Sequence, residues 1–449
     1  VDVTQALAKG ARAGGVKIFT HTEVTGIVQD GKKVTGVQTT AGDLGVDYVV
    51  ICGGMWSRDL AASIGVNLPL HACEHYYVLF ESVAGLTPDL PVLRDYDACA
   101  YYKYDAGKLL VGAFEPNAKP WGMGGISPDF CFDEIDGDFE HMAPVLQDAI
   151  HRIPALASAG IQKFFCGPES FTPDLAPVVG EAANLKNYFV CAGLNSIGIL
   201  SGGGLGRIMA HWILNGKPDV DVTGFNANRM QAFQANPEYR RERVTEMLGS
   251  VYKCHYPTKA PETARGAKRS ALHDRLAAAG AYFTDVSGWE GASWYAPSPD
   301  LATVDKLSFG RMNWWPYWQA EHRACREAVT LTDMSFMAKF MVQGRDAGKV
   351  LDYISANKVN GNTGQITYSQ WLNDEGGIEA DLTVTKLDDD KLMVVVTDTM
   401  HGHAESWMRS NIPDDAHAFV TDVTSGLTQI NIQGPGSRDL LQALTSVDL

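Results

Sequence analysis

The sequence predicts an α/β fold that is followed by a region of α+β type. Two features indicate the α/β part. An apolar run over residues 46–52 leads into Gly53 and Gly54 and then into helix-forming residues, and an apolar run over 188–192 leads into a glycine-rich stretch. A strand, a glycine turn and a helix in this order are typical of doubly wound sheets, which bind ligands at the carboxyl ends of their strands. From about residue 310, helices and strands alternate differently, which indicates a second fold.

Size and charge limit the possible functions. The 449 residues suffice for two to four domains. The formal net charge of −16 argues against a general nucleic-acid or anionic-membrane binder, because such proteins need a basic face. No apolar run reaches the length of a membrane span and no signal-peptide pattern is present. The 8 cysteines follow no CxxC pattern, which is typical of a reducing compartment and does not favour a zinc site or a disulfide framework.

The periodicity of the first part predicts its elements in order. A helix is expected at 4–13 and ends at two glycines. It is followed by predicted strands at 16–20, 23–29, 33–39 and 46–52, the last buried on both faces, and by a helix from residue 57. Alternating residues predict a second, antiparallel sheet that covers the first, with strands at 76–81, 98–104 and 108–114. A helix at 139–153, a strand at 188–192 and a helix at 206–214 complete this part.

The remaining chain predicts a connector and a further domain. We expect domains at 1–225, 226–305 and 306–449, the second being a charged, mainly helical connector. It has a helix at 270–279 and aromatic strands at 282–283 and 289–294. The third domain is predicted to contain helices at 318–328, 348–356 and 403–411 and strands at 337–342, 366–372, 382–386 and 392–396. Because the chain opens with Val1 in the middle of a domain pattern and ends after a helix-like run, we expect an internal fragment that is inactive alone.

Two stretches carry the chemistry of the first part. The loop Cys166-Gly-Pro-Glu-Ser-Phe-Thr-Pro-Asp174 precedes, by about twenty residues, the stretch Gly193-Leu-Asn-Ser-Ile-Gly198. Glycine lets backbone N–H groups approach a flat or anionic ligand. The N–H groups near Gly198 and Ile199 and the following helix N-terminus would stabilise negative charge on such a ligand. The run from Gly202 to Gly206 lacks the G-x-G-x-x-G spacing, so a second phosphate loop is not expected.

These stretches resemble the sarcosine and dimethylglycine dehydrogenase family. The segment Gly53-Gly54-Met55-Trp56 is similar to the flavin-contact strand of the wider D-amino-acid-oxidase-like group, with Gly53 where alanine is common. The resemblance implies an FAD-dependent oxidoreductase domain that lacks its N-terminal dinucleotide-binding segment. It also implies a set of cofactor-binding residues: Val24, Gly53, Gly54, Trp56, Gly193, Leu194, Asn195, Ser196, Ile197, Gly198 and Ile199.

The same resemblance implies two catalytic residues, His75 and Tyr101, over the flavin face. An N-methylated amine must lose its ammonium proton before it gives up hydride. A histidine near its ordinary pKa of about 6.5 can accept that proton, and a tyrosine hydroxyl can orient the amine. The alternative is a strand histidine that is satisfied by a neighbour. A substrate carboxylate needs a cationic partner, and the sequence does not choose among Arg58, Arg94, Lys103 and Lys163.

A third stretch, Thr367-Tyr368 through Asp381-Leu-Thr-Val384, resembles the folate-binding signature of the glycine-cleavage aminomethyltransferase family. Asp333-Met-Ser-Phe-Met337 is similar to its upstream element. The resemblance implies a truncated aminomethyltransferase-like domain that takes tetrahydrofolate as co-substrate. Asp381 would hydrogen-bond the reacting nitrogens, and Met337, Tyr368 and Thr383 would line the pocket. That family often has two adjacent aspartates, whereas Ala380 precedes Asp381 here. The alternative is a glycine hairpin with a surface aspartate.

The pair His401-Gly-His403 is the one local pattern that suggests a metal. No third ligand follows at a recognisable spacing, so a loop-to-helix junction is the expected structure.

The implied reaction is FAD-dependent oxidative demethylation of an N-methylglycine, sarcosine or dimethylglycine, with the one-carbon unit passed to tetrahydrofolate. An electron-transfer flavoprotein or oxygen would reoxidise the flavin, in the bacterial cytoplasm or the mitochondrial matrix. Neither a nucleic-acid nor a membrane partner is expected. Two alternatives remain open: a deaminating amino-acid oxidase of the same superfamily, and a non-catalytic folate-binding or regulatory protein.

Overall fold

The computed structural model describes residues 2–298, 301 and 305–449. The chain divides into two compact units, of which unit 1 ends at Cys254 and unit 2 begins at His255. Unit 1 contains a parallel strand pair with a following helix, as well as a large antiparallel sheet. Unit 2 mixes helices with an antiparallel sheet. The predicted order of an α/β part followed by an α+β part is therefore confirmed.

Unit 1 contains five of the helices: α1 (Asp2–Ala13), α2 (Ser57–Ala62), α3 (Phe139–Arg152), α4 (Gly198–Asn215) and α5 (Pro237–Ser250). Its strands are β1 (Val24–Asp30), β2 (Lys33–Thr39), β3 (Leu44–Gly45), β4 (Val49–Ile51), β5 (His71–Phe80), β6 (Leu93–Asp95), β7 (Ala100–Asp105), β8 (Lys108–Ala113), β9 (Pro120–Trp121), β10 (Ile161–Phe171), β11 (Val178–Glu181) and β12 (Tyr188–Ala192).

Three sheets organise unit 1. The strands β1, β2 and β3 form an antiparallel meander, and β11, β12 and β4 form a second sheet in that order. Within the second sheet β12 and β4 are parallel, with Tyr188 aligned with Val49. The carboxyl ends of these two strands therefore lie side by side, and each leads into a glycine turn. The third sheet is antiparallel in the order β10-β5-β8-β7-β6, with β9 paired to β5.

Two strand predictions in unit 1 are wrong. Residues 16–19 form no strand, and the side chains of Val16, Ile18 and Phe19 are exposed. A strand needs a neighbour for its backbone hydrogen bonds, and this segment pairs with no strand of the described residues. The apolar run 46–52 contains the short strand β4, and Val50 is 41% exposed. Because β4 lies at the edge of its sheet in the described chain, it is not buried on both faces.

Helix α4 begins earlier than the sequence predicts. It starts at Gly198 rather than at residue 206, so the glycine run lies inside its first turns. Glycine weakens a helix interior by about 1 kcal/mol per residue. Packing of Leu205, Met209 and Trp212 against Val179 and Phe189 compensates for this weakness.

One face of the large sheet in unit 1 forms a core against α3. Tyr76 and Val78 of β5 and Val111 of β8 are fully buried and pack against residues of that helix, among them Met142 and Val145. Successive residues of a strand point to opposite faces. The odd-numbered residues of β5 and β7, which include the two predicted catalytic residues, therefore project from the other face.

The described part of unit 2 contains five α-helices: α6 (His273–Ala278), α7 (Trp315–Glu327), α8 (Ala347–Ile354), α9 (His401–Ser410) and α10 (Ser437–Gln442). Its strands are β13 (Ala281–Val286), β14 (Trp289–Tyr295), β15 (Thr330–Asp333), β16 (Ala338–Gln343), β17 (Ile366–Leu372), β18 (Ile378–Asp388), β19 (Lys391–Val396), β20 (Phe419–Asp422) and β21 (Ile430–Gln433).

The main sheet of unit 2 has the order β17-β18-β19-β16-β20, and all of its pairings are antiparallel. Apolar residues of this sheet, such as Phe340 and Trp371, are fully buried against Leu351 of α8 and Met408 of α9. The alternation of buried and exposed positions along β18 leaves Asp381 and Thr383 on the face opposite to this core.

Candidate functional site

His75 and Tyr101 lie on the face of the large sheet of unit 1 that is opposite to α3. They are positioned on β5 and β7, which both flank β8. Phe114, just after β8, contacts both side chains, with ring centroids 4.8 Å from His75 and 6.1 Å from Tyr101. The structure therefore brings these two predicted catalytic residues together around one aromatic ring.

Gly112 has no side chain and so leaves the space that the ring of Tyr101 occupies. Gly112 of β8 is aligned with Tyr101, and a Cβ atom built on Gly112 would lie 2.0 Å from Tyr101 Cζ. The phenol ring thus lies across the glycine. Burial, and to a smaller degree the nearby Glu169, raise the pKa of Tyr101 above its usual value. The hydroxyl is therefore a neutral hydrogen-bonding group over the whole physiological pH range.

Two carboxylates flank the His75 imidazole. Glu115 Oε2 lies 3.6 Å from Nδ1 and Glu169 Oε2 lies 3.9 Å from Nε2. Glu115 is almost fully buried and its Oε1 accepts a hydrogen bond from the Tyr76 N–H. Burial favours the neutral imidazole, but Glu115 and then Glu169 outweigh it and raise the pKa of His75. The expectation of a histidine near its ordinary pKa is therefore corrected.

Reasoning from the sequence assigned no role to Glu115 or Glu169. Glu169 lies inside the stretch Cys166 to Asp174, which the sequence predicts as a loop but which belongs to strand β10 up to Phe171, and it is aligned with Cys73. Glu115 follows the last residues of β8. Sheet pairing brings them to His75 from separate strands, and spacing along the chain does not reveal this.

The predicted flavin loop forms a compact turn after β12. Asn195 is buried, and its Oδ1 accepts hydrogen bonds from the Thr172 N–H at 2.9 Å and the Thr172 hydroxyl at 3.2 Å. Its Nδ2 donates to the Gly193 carbonyl at 2.7 Å. Gly193, Asn195 and Ser196 all have positive φ, which is unusual for the last two residues. A side chain at Gly193 would clash with Thr172 and Leu70.

This turn ends at an open helix end. Helix α4 begins at Gly198 after Ile197, and no side chain of the described residues caps it. The side chain of Ile199 is largely exposed, and Ile197 and Leu194 belong to the same turn. An α-helix leaves its first N–H groups without intrahelical partners. The carboxyl end of β12 thus presents donors that an anionic or carbonyl edge can accept.

The second predicted flavin turn lies beside the first. Gly53 and Gly54 follow β4, and Trp56 ends a short 3-10 helix with 47% of its surface exposed. The thiol of Cys52 contacts Cys191 of the neighbouring strand, which lowers the pKa of Cys52 to about 7. Val24, which begins β1, is also partly exposed. Apolar side chains are therefore exposed where the two parallel strands end.

The four cations considered for a substrate carboxylate have different surroundings. Arg58 donates to its neighbour Asp59 at 2.8 Å and to the Leu70 carbonyl at 3.4 Å. Lys163 forms an ion pair of 2.5 Å with Glu134. Arg94 interacts with Tyr96, which raises the pKa of the guanidinium. Lys103 projects from the same sheet face as Tyr101 and lies 3.9 Å from Asp105.

Tyr368 and Asp381 form a hydrogen-bonded pair in unit 2. The Tyr368 hydroxyl donates to Asp381 Oδ2 at 2.7 Å, and this bond raises the pKa of Tyr368. Thr383 is directly opposite Tyr368 across β17 and β18. Met337 directly precedes β16. Ala338, the first residue of β16, is aligned with Val396 of β19, and Val396 is aligned with Leu382 of β18, which lies between Asp381 and Thr383. Tyr368, Asp381 and Thr383 therefore lie together on β17 and β18, and Met337 lies just before a strand of the same sheet.

The two histidines around Gly402 have separate partners. His401 Nε2 lies 2.9 Å from Asp422, and His403 Nε2 lies 2.9 Å from Glu379. Within residues 2–298, 301 and 305–449, no group of three or more His, Cys, Asp or Glu side chains is arranged to hold a metal ion.

A cavity of about 440 Å³ in unit 2 was not predicted. It is lined by polar and basic residues, among them Lys268, Ser335 and Thr428, together with Trp289. Burial lowers the pKa of Lys268 to about 8, although three nearby aspartates oppose this shift. Its lining does not include Met337, Tyr368 or Asp381, so it is distinct from the predicted folate residues. None of the described helices is both long and apolar enough to span a bilayer.

Comparison with protein families divides the chain into three parts. Residues 1–212 match the family "FAD dependent oxidoreductase", residues 215–270 match "FAD dependent oxidoreductase central domain", and residues 272–449 match "GCVT N-terminal domain".

Three curated relatives match almost the whole chain. A 4-methylaminobutanoate oxidase (formaldehyde-forming) from Paenarthrobacter nicotinovorans is 40% identical over 99% of this chain and 54% of its own. The mitochondrial pyruvate dehydrogenase phosphatase regulatory subunit of Mus musculus is 32% identical over 99% and 51%. The mitochondrial sarcosine dehydrogenase of Homo sapiens is 32% identical over 99% and 53%. The chain thus spans about half the length of these relatives.

Proposed function

From its membership of the family of sarcosine and dimethylglycine dehydrogenases, we propose that the intact protein oxidises the N-methyl group of a small methylamino acid and transfers the one-carbon unit to tetrahydrofolate. This family joins an FAD-dependent oxidoreductase domain to an aminomethyltransferase-type domain. The observation that carries this proposal is the grouping of His75, Tyr101 and two carboxylates on a sheet face in the oxidoreductase part.

The turns after β4 and β12 fit a flavin. The uncapped N-terminus of α4 offers N–H donors, and positions Gly202, Gly203 and Gly204 have no heavy atom within 4 Å of an added Cβ among the described residues. When bound, FAD supplies the oxidant that accepts a hydride from the N-methyl carbon. Gly193 to Ile199 would face its ring, with Trp56, Gly53, Gly54 and Val24 along the rest of the cofactor.

His75 would accept a proton from the substrate amine, and Tyr101 would orient it. Amine oxidation requires the free lone pair on nitrogen, so an ammonium substrate must first lose a proton. His75 in its neutral form can take that proton, because Glu115 and Glu169 stabilise the imidazolium that results. The Tyr101 hydroxyl, fixed over Gly112, would hold the amine by a hydrogen bond. Loss of hydride from the methyl carbon leaves an iminium cation.

Tetrahydrofolate would accept the one-carbon unit beside Asp381 in unit 2. A carboxylate stabilises the cationic iminium and the protonated amine of the folate during transfer. Tyr368 fixes Asp381 through its 2.7 Å hydrogen bond, while Met337 and Thr383 would contact the pterin. Tetrahydrofolate would leave as 5,10-methylenetetrahydrofolate, and in its absence water would release formaldehyde.

We propose small N-methylated amino acids as the substrate class, with sarcosine and dimethylglycine as the first compounds to assay. The 40% identity with the 4-methylaminobutanoate oxidase adds a longer methylamino acid to the compounds that should be assayed. An electron-transfer flavoprotein or oxygen would reoxidise the flavin. A cytoplasmic or a mitochondrial location is equally compatible with the named relatives.

Variants of the intact protein can separate the two halves of the reaction. His75→Gln and Tyr101→Phe should slow the bleaching of the flavin band by sarcosine or 4-methylaminobutanoate in stopped-flow measurements. Tyr102→Phe is the matched control, because Tyr102 points into the opposite core. Asp381→Asn should leave bleaching unchanged but release formaldehyde in place of 5,10-methylenetetrahydrofolate. If Asp381→Asn abolished flavin reduction, the assignment of two separate sites would be wrong.

A regulatory role is the second candidate, since the pyruvate dehydrogenase phosphatase regulatory subunit is 32% identical over 99% of the chain. An intact protein that is yellow and is bleached by a methylamino acid would exclude it. A deaminating oxidase would release ammonia rather than formaldehyde, which a product assay distinguishes.

A further inference from the structure

Arg94 lies beside Tyr101 on the sheet face that carries His75. Arg94 of β6 is aligned with Tyr101 of β7. Residues that are directly opposite each other on neighbouring strands project to the same face, with Cβ atoms about 4.5–5.5 Å apart. The next residue, Asp95, agrees with this orientation, because it pairs with Arg152 of α3, which packs on the other face. Arg94 therefore projects to the same side as the two predicted catalytic residues.

The Arg94 guanidinium is available to an anionic ligand. Its side chain is exposed, and no ion pair joins it to a carboxylate in the part of the chain that the structure describes. A hydrogen bond with Tyr96, and to a smaller degree the nearby Tyr252, raise the pKa of the guanidinium. Both of these neighbours are neutral phenols at physiological pH, so they leave the positive charge uncompensated.

The other cations considered for a substrate carboxylate are already engaged. Each of them has an acidic partner among the described residues: Lys103 with Asp105, Lys163 with Glu134 and Arg58 with Asp59. A second carboxylate would have to compete with that partner for the same charge. Of the four candidates, Arg94 is therefore the cation that best suits a substrate carboxylate.

A row of aromatic rings connects the neighbourhood of Arg94 with His75. The ring centroids of His75 and Phe114 are 4.8 Å apart, those of Phe114 and Tyr252 are 4.6 Å apart, and those of Tyr252 and Tyr96 are 4.9 Å apart. Aromatic rings offer large apolar surfaces. The hydrocarbon part of a methylamino acid that reaches from His75 towards Arg94 can pack along this row.

The charges on this face have opposite signs at its two ends. Glu115 and Glu169 lie 3.6 Å and 3.9 Å from the His75 imidazole on β5, whereas Arg94 lies on β6, at the other end of the strand order β5-β8-β7-β6. A methylamino acid at neutral pH carries an ammonium and a carboxylate. Complementary charges align its ammonium with the glutamates and its carboxylate with Arg94. The opposite orientation would bring three carboxylates together.

We propose that Arg94 binds the carboxylate of the methylamino acid while Tyr101, its neighbour, holds the amine, an assignment that rests on the proposed demethylation. A guanidinium can form two parallel hydrogen bonds with a carboxylate, which fixes the orientation of the ligand as well as its position. Arg94 thus directs the N-methyl end towards His75. It also makes the site selective for methylamino acids over simple methylamines.

The test compares substrates with and without a carboxylate in the intact, flavin-loaded protein. KM and the limiting rate of flavin reduction are measured for sarcosine, 4-methylaminobutanoate and N-methylbutylamine, the last of which has no carboxylate. Arg94→Gln should raise KM for both acids about 10- to 100-fold, as expected for lost charged hydrogen bonds. KM for N-methylbutylamine should change less than about twofold, because the amine contacts remain. Arg94→Lys should recover part of the loss, since it keeps the charge without the planar fork.

Butanoate provides a second measurement that does not depend on turnover. This carboxylate has no amine, and its binding is followed through the absorption band of the flavin. Arg94→Gln should weaken the binding of butanoate about 10-fold or more. The measurement remains possible even if N-methylbutylamine is not oxidised.

Lys103→Gln and Arg152→Gln are the matched controls, because Lys103 lies on the same face with an acidic partner and Arg152 projects from the other face. Both should keep the wild-type KM for the acids. Unchanged KM and unchanged butanoate affinity in Arg94→Gln would overturn the proposal, as would a loss in Lys103→Gln alone. An equal loss for the acids and N-methylbutylamine would also overturn it, since it would indicate a displaced Tyr101. The demethylation proposal fails separately, if no methylamino acid reduces the wild-type flavin.

Discussion

The phenol ring of Tyr101 lies directly across Gly112, where an added Cβ would approach Tyr101 Cζ to 2.0 Å. The two residues are aligned on neighbouring strands, so the absence of a side chain on one creates the place of the other. The hydroxyl position of Tyr101 thus depends on a residue with no functional group.

Gly112→Ala should therefore displace Tyr101 and slow substrate-dependent flavin reduction at least as much as Tyr101→Phe. Overpacking of this kind destabilises by about 1–3 kcal/mol, which thermal unfolding would show as a modest decrease in Tm. Gly124→Ala is the control, because an added Cβ there meets no atom of the described residues within 4 Å. An alanine variant with normal reduction kinetics would contradict the dependence of Tyr101 on Gly112.

Glu115 should set the pH dependence of the reductive step. The pKa of His75 is raised, so the imidazolium persists to higher pH than in a free histidine, and the proton-accepting neutral form appears only above that pKa. The rate of flavin reduction should rise with pH through a midpoint above 6.5. Glu115→Gln preserves the acceptor for the Tyr76 N–H but removes the charge, so the midpoint should move to lower pH.

The measurement is the rate of flavin bleaching at saturating substrate from pH 5 to 10. Glu140→Gln provides the control, since Glu140 lies on α3 behind the opposite sheet face. A midpoint that is identical in wild type and Glu115→Gln would show that this carboxylate does not act on the proton acceptor.

Tyr368→Phe should weaken one-carbon transfer without affecting flavin reduction. The change removes the 2.7 Å hydrogen bond to Asp381, and a single hydrogen bond contributes about 0.5–1.5 kcal/mol, or a factor of about 2–13. We expect the ratio of methylenetetrahydrofolate to formaldehyde to fall by this factor at limiting tetrahydrofolate. Asp388→Asn, at the far end of β18, should leave the ratio unchanged. An unchanged ratio in Tyr368→Phe would remove Tyr368 from the folate site.

Asp422 should contribute to the acid stability of unit 2. Burial raises its pKa, but the hydrogen bonds from His401 and Thr424 outweigh this and hold the pKa well below the usual range. A depressed pKa means that the stabilisation is present above the unfolded value, near 3.9, and is lost as the pH falls through the folded pKa.

Asp422→Asn should therefore decrease the free energy of unfolding by about 1 kcal/mol at pH 7 and by less at pH 3. Denaturant unfolding of the intact protein, followed by the fluorescence of Trp407 or Trp371 in this unit, would measure it. A difference of equal size at both pH values would mean that charge is not the cause.

Much of the fold could be predicted because local patterns determine it. The strands Lys33–Thr39, Tyr188–Ala192 and Ile366–Leu372 have the predicted bounds, since alternation and turn residues agree there. The prediction of a strand at 16–20 was wrong because a strand forms only when a neighbouring strand accepts and donates its backbone hydrogen bonds. The predicted start of α4 was wrong because tertiary packing outweighs the low helix propensity of its glycines.

The sequence by itself determined the order of folds, the family and the residue types available for amine and folate chemistry, because motifs and periodicity are properties of neighbours along the chain. Only the tertiary structure decided that Glu115 and Glu169 flank His75 and that Gly112 makes room for Tyr101. These contacts join separate strands and helices, and the pKa of each group depends on burial and on charges that sequence spacing does not encode.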